Sequence, residues 1–426
     1  MLNMMIRKKD IYYYIVILLC ILDLNCFYLL DNSNKLLGIP YADFVFFLEI
    51  LFTVVVVIKF KAFKKGIFND FFSKTLLFSI PLCFLSAYAA TRTYNQPFIL
   101  GISSQHLWMG PIFLYFALKT LFKVNIITID RFFKSLKKIV FIYSLVCILQ
   151  YFLKDIVTFT YVITDERYNG SRYFFSITYL VFYAGVELDK YFKYKNISSN
   201  ITSLIYIGGV LFISGVVTKG RMGTTTFIVT LVVCILLRRK FNYKKLILIV
   251  IGIMAIGMFL STSIGEDILN IIKGNESVAD TGTVRTLGKS YYLNLLLKDT
   301  FTFLIGCGSP NVNWNLAQQI VNPLAGLGGT ARLYLSDVGI LSPFVMYGFI
   351  GILWWITIII VCIKRSWKIF KEYNETVYLQ FAILEIIKCT TLVPELFNSQ
   401  ILFIFYLALL ENKYIKIKIN KIKKNN

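Results

Sequence analysis

Residues 201–237 read ITSLIYIGGVLFISGVV, then TKGRMG, then TTTFIVTLVVCILL. Ile201–Val217 and Thr224–Leu237 are apolar runs that read as transmembrane helices. The hexapeptide Thr218–Gly223 is then the whole connection between two spans, and it sets Lys219 and Arg221 beside Gly220 and Gly223. A charge held so close to hydrocarbon is costly and marks a functional position. The glycines allow a ligand to approach the backbone. The free N–H groups at the start of the following helix favour an anion. The stretch reads as the floor of an anion site, with Arg221 and the helix start as a diphosphate cradle. An interfacial pair snorkelling to headgroups accounts for the same two charges without a ligand.

Composition supports the membrane reading of the whole chain. Of 426 residues, 57% are hydrophobic and only 16% charged, and mean hydropathy is +0.68. Those values exclude a soluble globular domain. Ile11–Leu30 is followed by no small-residue cleavage site and reads as a retained first span. A net charge of +22 would suggest nucleic acid in a soluble protein. Here it belongs to short inner loops, where basic residues set topology and meet anionic lipid, so no nucleic-acid partner is expected. Of eight cysteines, only Cys307 falls clearly in an expected outer loop, so neither a disulfide framework nor a thiolate metal cluster is indicated.

By the length rule the chain holds about twelve spans. They lie near 11–30, 41–58, 75–91, 105–124, 139–153, 173–189, 201–217, 223–237, 245–261, 336–362, 377–393 and 399–412. The expected fold is an all-α polytopic bundle: N-terminal spans over 1–260, a large extracytoplasmic loop over 261–335, and C-terminal spans with a basic tail over 336–426. Lysine-rich connections such as Lys59–Lys65, Arg131–Lys138, Lys190–Lys195, Arg238–Lys245 and the tail from Lys413 hold most of the 45 basic residues. That side is cytoplasmic by the positive-inside rule, with both termini.

The two basic residue types are divided unevenly. Six arginines fall on the outer side: Arg92, Arg167, Arg172, Arg221, Arg285 and Arg332. The far more numerous inner basic residues include only five, Arg7, Arg131, Arg238, Arg239 and Arg365. Topology needs positive charge of either kind and gives no reason for the skew. A planar guanidinium fork suits bidentate binding of phosphate or carboxylate. The outer loop from Ser261 to Leu335 is also far longer than a helix connection requires. Within it, Leu287–Lys298 has an amphipathic helical pattern, expected to begin just after Arg285. Gly306-Cys307-Gly308 and the turn Gly326–Gly329 follow, and the whole reads as a lid above the bundle. Arg332 and Asp337 flank the start of the next span, as ligands or as a salt bridge.

Other chemistries lack their residues. One histidine, His106, at a span end does not suggest zinc. No Asp-x-Asp pair and no P-loop signature occurs, so metal-dependent sugar transfer and that route to ATP hydrolysis are not supported. Glu49, Glu187, Glu385 and Lys388 fall inside spans, where they line an ion path or pair within the bundle.

Three stretches resemble the bacterial O-antigen polymerase and ligase superfamily, which includes capsular and exopolysaccharide repeat-unit polymerases. Ser214–Gly223 is similar to that family's span ending in a Ser/Thr-x-x-Arg-Gly-like turn. Arg285 through Gly308 resembles its arginine, amphipathic helix and Gly-x-Gly run. Ser336–Leu341 with Tyr347–Gly351 looks like the start of its next span. The resemblance implies glycosyl transfer at the outer face of the bacterial cytoplasmic membrane, without metal or cofactor, from an undecaprenyl-diphosphate-linked oligosaccharide. It implies that Arg221 and Arg285 hold the diphosphate. Lys219, Arg332, Arg172 and Arg167, among the outer basic residues, are read as further substrate contacts. A flippase and a chain-length regulator are the implied partners. The ligase branch carries a histidine near the end of its large loop, whereas Thr330–Gly339 has none and offers Ser336-Asp337. That departure favours polymerase over ligase and makes Asp337 the candidate general base. A flippase or transporter of the same lipid-linked substrate remains the rival from another class.

Overall fold

The computed structural model describes residues 10–24, 35–36, 39–153, 156, 164–166, 171–173, 175–194, 196–218, 221–238, 244–248, 250, 252, 279–321, 324–325, 331–397 and 401–425. Among these, helix dominates, and strands are confined to three antiparallel two-stranded ladders: β1–β2 (Lys35–Leu36, Ile39–Pro40), β3–β4 (Thr164–Glu166, Ser171–Tyr173) and β5–β6 (Leu324–Ala325, Ala331–Arg332). The helices are α1 (Asp10–Asp23), α2 (Tyr41–Lys59), α3 (Phe71–Leu77), α4 (Ser79–Tyr94), α5 (Phe98–Ser103), α6 (His106–Lys123), α7 (Ile129–Phe152), α8 (Thr178–Lys193), α9 (Ile197–Phe212) and α10 (Arg221–Leu237). They continue with α11 (Ala279–Leu296), α12 (Thr300–Ile305), α13 (Asn315–Val321), α14 (Leu341–Tyr373), α15 (Val377–Lys388) and α16 (Ile401–Asn425).

Among the described residues, three helical stretches are long and apolar enough to cross a membrane: α3–α4 over Phe71–Tyr94, α9 with its extension to Val217, and α14. Gly223–Leu237 is apolar but shorter. The exterior agrees with a lipid environment. Phe47, Leu51, Val54, Val55 and Ile58 of α2, and Ile197, Ile201 and Ile205 of α9, are exposed apolar side chains in helical register. Water would penalise stripes of this kind, whereas hydrocarbon does not.

The core forms around α16. Every residue from Ile401 to Leu410 is at most 1% exposed, so this half of the helix is enclosed on all sides. An all-round apolar sequence permits that position. Local chemistry sets several helix ends. Asp70 caps α3 by accepting from the Ser73 N–H at 3.2 Å. Asp299 and Thr302 form a reciprocal capping box on α12. Asn374 ends α14 in the left-handed conformation.

α14 begins at Leu341, after a 3₁₀ turn over Leu335–Asp337, and runs to Tyr373. The span expected over 336–362 therefore starts later and continues past Lys364 and Arg365, whose helix propensity is high. α11 likewise begins earlier than its amphipathic pattern predicts, and Arg285 lies within it. Gly282 and the threonines beside it weaken the local signal, and tertiary docking of the helix overrides them.

Two lysines of the lysine-rich connections bind helix termini. Lys244 donates to the Tyr191 and Tyr194 carbonyls at the end of α8 and to Asn200 Oδ1. Lys245 does the same for Leu236 and Arg238 at the end of α10. Carbonyls in the last turn of a helix are left over by the intrahelical ladder, so each lysine serves a helix terminus.

Candidate functional site

α11 presents Arg285, Gly288, Lys289 and Tyr292 at i, i+3, i+4 and i+7, a single helix face. A Cβ at Gly288 would stand 3.3 Å from Val338 Cγ1 and 3.9 Å from Leu333 Cδ2. That face is therefore seated on the segment that carries Asp337. Tyr292 fixes the register: its hydroxyl donates to the Leu333 carbonyl at 2.9 Å and also to that of Val321. Tyr291 donates to the Ile320 carbonyl at 3.0 Å. Burial, then the charges of Tyr291 and Asp337, push the Tyr292 phenol above its ordinary value, which keeps it a donor.

Asp337 is half-buried at the end of its 3₁₀ turn, with its N–H on the Tyr334 carbonyl at 3.1 Å. The chain then turns at Gly339, whose φ is +65°, and Ile340 N–H donates to the Cys389 carbonyl at 2.9 Å. A Cβ at Gly339 would meet the Cys389 oxygen at 2.4 Å, so the turn requires glycine. Lys289 Nζ reaches the next carbonyl, Thr390, at 3.4 Å. Both α11 and the Asp337 segment are thus fastened to the C-terminal end of α15.

From that end a polar chain leads to α10. Lys388 is paired with Glu395, whose carboxylate also accepts from Thr178 Oγ1 at 3.0 Å. Thr178 opens α8, and Ile177 before it lies over the first turn of α10, where a Cβ on Gly223 would be 2.4 Å from Ile177 Cδ1. The helix start that carries Arg221 and the face that carries Arg285 are therefore linked to one place, the junction around Lys388–Glu395. α9 runs on into a π-helical turn over Ile213–Val217, closed by Thr218 Oγ1 on the Ser214 carbonyl at 2.7 Å. Single π turns are frequent at functional sites.

Several expectations take a different form. Gly223 is occupied by Ile177, so its missing side chain serves helix packing instead of opening the backbone to a ligand. Lys219 and Arg167 lie outside the described residues. Arg172 is on β4 opposite Asp165, and Arg332 is on β6 opposite Leu324; for both, as for Arg221, only the backbone is described. Arg92 lies 4.2 Å from the Phe301 ring centroid and 4.0 Å from Asp299, which is a packing role at the start of α12. His106 pairs with Asp43 at 2.5 Å and with the Ser103 carbonyl, tying α6 to α2.

The part of the expected loop around Cys307 is packed against α4 and α14. Cys307 is fully enclosed, and burial raises its thiol to about 12. Its N–H donates to the Val345 carbonyl at 2.6 Å, Ser309 N–H to Ser86 Oγ at 3.0 Å, and Gln96 Nε2 to the Ser309 carbonyl at 3.0 Å. The Gly-Cys-Gly run is consumed in packing against α4 and α14.

The residue that sequence reasoning missed is Glu395. It follows Pro394 in an otherwise apolar stretch, and an acid in such a place was the available signal.

A scan against protein-family models finds no match to the chain, and a search of curated proteins finds none either.

Proposed function

We propose that the chain polymerises undecaprenyl-diphosphate-linked oligosaccharide repeat units into a surface polysaccharide, by glycosyl transfer at the outer face of a bacterial cytoplasmic membrane. On this reading about twelve spans place α11 and the Asp337 segment outside, with both termini inside. The observation that carries the reading is the seating of the α11 face that includes Arg285 on Leu333 and Val338, in the segment that carries Asp337.

In the proposed reaction an acceptor hydroxyl attacks the anomeric carbon of the donor. The new C–O bond forms as the bond to the diphosphate breaks, and the lipid diphosphate leaves with the electron pair. Arg285 and Arg221 stabilise the charge on that leaving group. Asp337 takes the hydroxyl proton. Cells lacking the protein and complemented with wild type or Arg285→Ala provide the test. A ladder with wild type and only single repeat units with the mutant, at equal membrane levels, supports the proposal. Full-length ladders from the mutant refute it.

A second reading, movement of the lipid-linked oligosaccharide across the membrane, is favoured by the buried charges Glu385, Lys388 and Glu395, since such groups line pathways in transporters. Accumulation of lipid-linked single units on the inner face in the deletion strain selects it.

A further inference from the structure

Glu385 and Glu395 are both 0% exposed. Lys388, one helical turn after Glu385, directs its ammonium to Glu395. Glu395 also accepts from Thr178 Oγ1 and is thereby compensated. Glu385 is not. Its Oε1 accepts the Glu395 backbone N–H at 2.7 Å and faces the Cys389 thiol at 3.9 Å. Among the described residues no cation lies within salt-bridge distance of it, and the positive charge it feels is that of Lys388, already paired with Glu395. One oxygen on each acid, Glu385 Oε2 and Glu395 Oε2, is buried without a partner, and so is Thr391 Oγ1 six residues beyond Glu385.

The charge count decides what this arrangement can hold. Two ionised carboxylates and one ammonium leave a surplus negative charge in a fully enclosed place, which is strongly unfavourable. Among the described residues, the other groups facing the cluster are Cys389 on α15, Cys362 on α14 and the hydroxyl of Thr178 on α8, none of them cationic. A single proton removes the surplus. It also converts one unpartnered acceptor oxygen of the cluster into a donor.

We propose that Glu385 and Glu395, beside Lys388, form a buried proton-binding site that holds one exchangeable proton on Glu385. The site joins α15 to the 395–397 turn through the Glu395 N–H. Its proton therefore controls how firmly the end of α15 is held, and the Ile340 and Lys289 contacts are made at that end. The site is the same whether the protein polymerises or transports its substrate.

Infrared difference spectroscopy on the full-length protein in lipid tests the site. Wild type minus Glu385→Gln is expected to show a carboxylic-acid carbonyl band that the variant has lost and that disappears from wild type as pH rises. Lys388→Met, which leaves two acids and no base, is expected to show about twice the wild-type band difference, one proton on each acid. Superimposable wild-type and Glu385→Gln spectra overturn the proposal. So does a Lys388→Met band equal to that of wild type, or a band displaced by sodium at constant pH.

Discussion

Gly306 and Gly348 meet backbone to backbone: a Cβ on Gly306 would stand 2.6 Å from the Gly348 nitrogen, and one on Gly348 would stand 2.4 Å from the Gly306 nitrogen. Both have positive φ, +91° and +64°. Gly348 is the non-helical point inside α14, so the kink of the longest helix and the end of α12 are one joint. Alanine at either position is doubly penalised, by contact and by conformation. We expect Gly306→Ala and Gly348→Ala each to reduce folded protein in the membrane sharply. Gly208→Ala and Gly209→Ala, with nothing within 4 Å of the added methyl, are expected to be neutral or to stabilise α9 by about 0.5–1 kcal/mol. Fluorescence-detected size exclusion of the four variants distinguishes the two groups.

Asp189 is the anchor of α15 at its other end. It accepts from Thr376 N–H at 2.8 Å, Thr376 Oγ1 at 2.7 Å and Val377 N–H at 3.1 Å, and pairs with the guanidinium of Arg238. Arg238 is only 5% exposed at its side chain. Removal of the carboxylate in Asp189→Ala leaves that cation buried and unpaired, with an expected loss of about 3–5 kcal/mol. Joint replacement with Arg238→Met is expected to recover much of the loss. Thermal unfolding of the single and double variants measures both.

At the candidate site, Arg285→Ala is expected to lower the rate of chain extension by about 100- to 1,000-fold if it stabilises the leaving diphosphate. Arg285→Lys is expected to keep part of the rate, because charge remains while the bidentate fork is lost. Asp337→Asn is expected to cost about 100- to 10,000-fold, the range for a general base. Extension assays with purified lipid-linked donor measure these rates. Full activity of Asp337→Asn assigns the base elsewhere.

Gly288 offers a subtler perturbation of the same place. Its added methyl would meet Val338 at 3.3 Å, which Val338 can yield to by a small shift, but a larger side chain cannot be accommodated. Gly288→Ala is expected to retain membrane levels with reduced extension, and Gly288→Leu to separate α11 from Asp337 and abolish it. Equal activity in all three proteins would show that this contact does not assemble the site.

Asp299 supplies a pH prediction. The Thr302 backbone N–H holds its carboxyl below its ordinary value, opposed in part by burial and assisted by Arg92. A carboxylate with a lowered folded value stabilises above its unfolded value, and the contribution is lost as pH falls through the folded value. Asp299→Ala is therefore expected to lower the melting temperature at neutral pH and to match wild type once the pH is below both values. A difference that persists at the acid end would assign the effect to packing of α12 instead of its cap.

Much of the helical layout is readable in the chain because apolar run length is a local property. α2, α6 and α10 lie where their apolar runs lie. α11 is readable only in part, since its start depends on a face that finds Leu333 and Val338 across some fifty positions of chain. The arginines of the candidate site stood out by residue type and place, but type does not tell binding from packing. Arg92 is spent on Phe301 and Asp299, while Arg285 lies on the face seated against Asp337's segment.

The apolar composition, the basic connections and the positions of most helices follow from the sequence itself, because hydropathy and charge act residue by residue. Tertiary structure alone decided that Gly306-Cys307-Gly308 is buried packing, that Glu385 faces Glu395 and Lys388, and that α11, the Asp337 segment and α10 converge on the end of α15. Those outcomes depend on which distant surfaces fit at van der Waals range and which buried charges find partners, and neither is a property of any one stretch.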